Sequence, residues 1–128
     1  MTSIKSVTGL PAVARPAAAT DQAVEAIVSK ALTACASVTS GNPGGCPQLF
    51  IFPNASAFHW TLVSDPLIDT RVSYDSSTGL FTAQGHFDMK VNYKINGYPY
   101  NTYSNTTTYA AYLFWDGQQL VLVTIDGQ

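Results

Sequence analysis

Two histidines and one carboxylate are the residues whose types best suit acid–base or metal chemistry in this chain. His86 and Asp88 lie two positions apart in an alternating run, so on a strand they share one face about 7 Å apart. His59, in a second alternating run, would complete a two-His-one-carboxylate set of the kind that holds a transition metal. The plainer alternative makes all three ordinary polar residues of a solvent-facing sheet. No serine or cysteine stands in a nucleophile elbow or triad motif. No phosphate-binding glycine pattern occurs either. Asp65, Asp69 and Asp75 border turns, without the interleaved oxygen ligands of a calcium loop. They read as turn formers, and neither a metal site nor a cofactor is assigned.

The stronger lead is for binding. Tyr98, Tyr100 and Tyr103 are interleaved with Asn96, Pro99, Asn101 and Asn105. Tyrosine offers rigid amphipathic contact area, and asparagine adaptable hydrogen bonds, as in loops that recognise proteins or glycans. Tyr98, Tyr100, Asn101 and Tyr103 are therefore the candidate contact residues. The alternative is a hairpin connector whose tyrosines fold back on the sheet edge. Trp60, Phe87, Met89 and Tyr93 read first as core, and would line a small-molecule pocket if helix and sheet leave one between them. Asn54-Ala55-Ser56 and Asn105-Thr106-Thr107 match the glycosylation sequon, a pattern common by chance.

These residues need elements to position them. Residues 1–19, with Pro11, Pro16 and an alanine run, read as an extended arm or linker ahead of a single domain at 20–128. Thr20 or Asp21 caps a helix whose Val24, Ile27, Val28, Ala31, Leu32 and Cys35 make one apolar face. That helix ends before Gly41, Pro43 and Gly44. Everything beyond Pro47 reads as strand and turn, beginning with the short apolar run Leu49 to Phe52.

From Phe81 to Asn96, apolar and polar residues alternate without a miss, which predicts one long strand with a dry and a wet face. Gly85 is its natural hinge. Asn96-Gly97 signals a turn. Asp116-Gly117 predicts a two-residue hairpin setting Trp115 opposite Gln118 and Leu113 opposite Leu120. Residues 120–125 are apolar on both faces, as in a covered central strand. The whole predicts an α+β domain: one N-terminal amphipathic helix on a curved antiparallel sheet of four to five strands, cystatin-like or NTF2-like.

Composition narrows the class further. The 128 residues suit one domain, and only 11% are charged against about a quarter in an average protein. That neutral polar profile suits an exported β-rich domain. A net charge of −2, with its six scattered lysines and arginines, offers nucleic acid no electrostatic footing. No apolar run reaches membrane-spanning length. Cys35 and Cys46 have neither a second cysteine pair nor a nearby histidine to complete a zinc site. A disulfide is the simplest reading and implies an oxidising compartment; two buried thiols are the alternative. The first residues lack a signal-peptide core, and the chain stops just after an apolar strand, so we read it as a fragment of a longer protein.

Three stretches together form a recognisable pattern: Ala34-Cys35-Ala36 to Gly45-Cys46-Pro47, Trp60-Thr61-Leu62 with Asp65-Pro66, and Val72-Ser73-Tyr74-Asp75 to Gly79-Leu80-Phe81. The pattern resembles the extracytoplasmic C-terminal domain of actinobacterial single-pass membrane proteins, over roughly residues 20–127. Its motifs are structural, and the family has no assigned activity or catalytic residues to carry over. The resemblance implies a membrane-tethered domain outside the cell. A cystatin-type protease inhibitor would need a Gln-x-Val-x-Gly hairpin, where this chain has Trp-Asp-Gly-Gln-Gln.

The sequence therefore predicts a non-enzymatic extracytoplasmic domain that contacts a protein or cell-envelope component. The alternative is an NTF2-like pocket for a small molecule, with a catalytic version of it resting on analogy with that fold; a structural spacer is the third reading. Oligomeric state is left open, since a free sheet edge could pair two copies.

Overall fold

A computed structural model describes residues 12–41, 44–97 and 101–127, the side chain of Asn105 excepted. Helix α1 (Asp21–Cys35) starts where Thr20 turns extended and its hydroxyl accepts the amide hydrogen of Ala23, with Asp21 in the first turn. Val24, Val28, Leu32 and Cys35 recur at helical spacing and are buried. Ahead of the helix, residues 12–20 lie along the domain without regular structure. Val13 donates its amide to Ser76 O, and Arg15 spans from Ala19 O to Asp21 while its guanidinium sits over the Phe81 ring.

Five antiparallel strands follow: β1 (Ala55–Leu62), β2 (Arg71–Asp75), β3 (Leu80–Ile95), β4 (Asn101–Trp115) and β5 (Leu120–Gly127). β3 is the axis of the sheet. β4 covers one of its edges and β5 continues beyond β4, whereas β1 and β2 share the other edge, at opposite ends of β3. The alternation along β3 holds: Phe81, Ala83, Phe87, Met89, Val91 and Tyr93 are buried, and Gln84, His86 and Lys90 are exposed. Helix α1 packs on the dry face with this row, giving an α+β domain of one helix on a curled antiparallel sheet.

The disulfide loop closes the far half of that face. Cys35 and Cys46 are bonded, and Gln48, itself 1% exposed, donates its side-chain amide to Cys35 O at the helix end. Trp60 donates its indole N–H to Ser40 O, and Phe50 its amide to Gly41 O. Gly41 is required there, since a Cβ would fall 2.3 Å from Phe50 O.

Three expectations are corrected. Residues 49–52 form no strand; they cross the dry face as irregular chain between Pro47 and Pro53, with the Phe50 amide bonded to Gly41 and the Phe52 carbonyl to Ala55 at the start of β1. The β4–β5 loop has four residues, not two, so Trp115 pairs with Leu120 and Leu113 with Leu122. Its cause is the Asp116 carboxylate, which accepts the amides of both Gln118 and Gln119. Finally, β5 is an edge strand despite its apolar sequence, with Val123 at 57% exposed.

Candidate functional site

The chemistry-bearing residues of the wet face do not gather as the metal reading expects. His59 pairs in register with Asn92, six positions along β3 from His86, roughly 20 Å at strand rise. Asp88 turns to Ser64, whose hydroxyl donates to Asp88 Oδ2 at 3.0 Å. Among the described residues no group of three His, Cys, Asp or Glu side chains could hold a metal ion.

His86 finds a different partner. Asp69, in the β1–β2 connection, places Oδ2 2.5 Å from His86 Nδ1. Asp69 is thus no mere turn former, although Asp65 and Asp75 do accept turn amides from Leu67 and Ser77. The hydrogen bond from His86 is the main cause holding the Asp69 carboxyl below its ordinary range. An ionised carboxylate can only accept, so Nδ1 carries the proton and the pair orients the imidazole with Nε2 outward. Both side chains are about half exposed.

The dyad borders a pocket of about 380 Å³, lined by Asp69, Arg71, Gln84, Gly85, His86, Thr108 and Tyr109. The break between β1 and β2 makes room for it: β1 stops at Met89 of β3, β2 begins at Gln84, and the β1–β2 connection passes the gap. Gly85 and Tyr109 face each other across β3 and β4. A Cβ on Gly85 would fall 2.9 Å from the Tyr109 ring, so the glycine lets that ring lie across the strand. The Tyr109 hydroxyl reaches Thr70 Oγ1 at 2.7 Å and the Pro66 carbonyl at 3.1 Å, pinning the connection that carries Asp69. Burial raises the Tyr109 phenol above its ordinary value.

The second region lies at the other end of β3, on the dry side. Tyr93 is buried there and Tyr103 is 46% exposed. Phe50 packs between them, its ring centroid 4.6 Å from Tyr93 and 5.0 Å from Tyr103. Phe52 stacks on Phe50 at 6.1 Å, and Phe58 meets it edge-on. Phe52 (46%), Leu49 (49%) and Ile51 (74%) remain open to solvent. Asn101, an exposed residue, opens β4 beside this cluster, opposite Tyr93. Tyr98 and Tyr100 lie outside the described residues.

Trp60, Phe87, Met89 and Tyr93 are all core residues, and none of them lines the 380 Å³ pocket. Sequence reasoning missed Asp69 and Arg71, which belong to a connection and a short strand separated from His86 by the β2–β3 turn. It also missed Phe50 and Phe52 as neighbours of Tyr103. Two aromatics inside a proline-bounded run were the available signal.

No protein-family model, curated protein or solved structure matches the chain. No helix among the described residues is long and apolar enough to cross a membrane.

Proposed function

We propose that the chain is a non-enzymatic extracytoplasmic domain that contacts a protein or cell-envelope component through the aromatic surface around Tyr103. The observation that carries this reading is the exposure of Phe52, Ile51, Leu49 and Tyr103 around rings already held in mutual contact. Solvent-open apolar groups on a rigid aromatic base offer contact area at low entropic cost. Asn101 adds polar specificity, and Tyr98 and Tyr100 extend the same sequence segment. The disulfide suits an oxidising compartment. In this reading the helix-on-sheet body is a cystatin-like or NTF2-like scaffold, tethered outside the cell as in the actinobacterial domains it resembles.

Co-sedimentation of the domain with isolated cell envelopes, before and after protease or glycan-hydrolase treatment, tests the proposal and identifies the component. We expect Phe52→Ala with Tyr103→Ala, and separately Tyr98→Ala with Tyr100→Ala, to weaken binding at least about tenfold, the size of one or two lost aromatic contacts. Unchanged retention of both double variants would remove the aromatic surface from the function.

A further inference from the structure

The pocket on the wet face has donors that the aromatic surface does not use. Arg71 opens β2 on the strand face it shares with its register partner Gln84, and His86 follows two positions along β3. The Arg71 guanidinium makes no ion pair among the described residues. Asp69 occupies Nδ1 of His86 and leaves Nε2 directed away from the pair. A guanidinium, a primary amide and an imidazole edge thus converge on one concavity of about 380 Å³, at the small end of the range for metabolite sites. Guanidinium forks and imidazolium both match the planar oxygen pair of a carboxylate.

We propose that this pocket binds a small carboxylate, its oxygens held by Arg71 and His86 with Gln84 beside them. Asp69 serves as the positioning residue. It sets the His86 ring through the bond to Nδ1. Binding tightens as the pH falls and His86 takes up that proton, because Nε2 then changes from acceptor to donor. The charged groups around His86 are Asp69 from the β1–β2 connection, Arg71 from β2 and Asp88 on its own strand, while β4 contributes the uncharged Thr108 opposite it. A bound carboxylate favours the protonated ring, so ligand and proton bind cooperatively.

The test is a nuclear magnetic resonance titration of the oxidised chain with sodium acetate at constant ionic strength, with sodium chloride and inorganic phosphate as parallel arms. We expect saturable shifts at residues 71 and 84–86 with acetate, and at least a tenfold weaker dissociation constant at pH 8 than at pH 5.5. Arg71→Gln should abolish saturation. His86→Gln should remove the pH dependence while the spectrum elsewhere stays native. Equal response to chloride, tighter saturation by phosphate than by acetate, or saturation that survives Arg71→Gln would each overturn the proposal.

Discussion

Tyr109 shows how one side chain can tie a connection to the sheet. Its ring needs the bare backbone of Gly85, and its hydroxyl joins Thr70 and the Pro66 carbonyl over a residue that is fully buried. Removing that hydroxyl takes one of two donors from the Pro66 carbonyl, which keeps the Thr70 hydroxyl, a loss of about 1 kcal/mol. We expect Tyr109→Phe to lower unfolding stability by that amount in chemical denaturation. The pH dependence should change as well. Burial raises the folded-state phenol above the ordinary 10.0, so the folded chain keeps a proton that the unfolded chain releases. The contribution is complete below the unfolded value and is lost as pH rises through the folded one. The wild-type chain should therefore lose stability above pH 10 more steeply than Tyr109→Phe, and equal slopes would refute that assignment. Asp69 has the opposite sign. Its depressed carboxyl supports the fold above the ordinary 3.8, and that support fades as pH falls through the folded value. The partnership of Asp69 with His86 was not legible in the sequence, because the separation of 17 residues follows no period. It depends on where the connection lies.

At the scale of elements, the strongest sequence signals were those with a physical period. The alternation of β3 was legible from Phe81 to Tyr93 because one face is dry along its length. The helix was legible for the same reason, at its own spacing. What period cannot show is local side-chain bonding. The two acceptor bonds of Asp116 lengthen the β4–β5 loop by two residues, and next to the loop, as far as the bulge at Tyr112 and Leu113, a slip of two leaves each apolar residue on its original face. Hydropathy was blind to the difference. The segments 36–41 and 44–53 escaped for a related reason: their contacts are rings on rings and bonds to single carbonyls, held by the disulfide. Closing a loop this short is worth about 3 kcal/mol through the unfolded chain. We expect Cys35→Ala with Cys46→Ala to cost about that much. The loss should be read as a lower denaturation midpoint with a steeper slope, because the unfolded chain without its crosslink is less compact. The change should be felt first at Phe50 and Tyr103, as shifted aromatic resonances. A double variant of wild-type stability would mean the aromatic cluster holds the loop unaided.

For the molecule as a whole, the useful fact is the separation of its two candidate regions along one strand. Tyr93 belongs to the aromatic cluster and Gly85 to the pocket floor, eight residues apart on β3. That spacing is about 26 Å at strand rise. Their side chains differ in face only in part: Phe50 covers the dry side, and His86 and Gln84 of the pocket belong to the wet one, while Gly85 and Tyr109 border the pocket from the dry row. Between them Phe87, Met89 and Val91 are packed as core. Such an interior transmits a perturbation only if it has two discrete arrangements. The chain has one layer of helix and loop on one sheet, with a single disulfide, and nothing among its described elements supplies a second packing. The two regions should therefore act independently. We expect Phe52→Ala to leave the acetate titration at residues 84–86 unchanged, and Arg71→Gln to leave envelope retention unchanged. Stability losses of the combined variant should sum to within about 0.5 kcal/mol, as for distant sites without shared partners. A larger coupling, measured by denaturation of the two single variants and the double variant, would show that the long strand moves as a lever between its ends. The pocket would then regulate the aromatic surface.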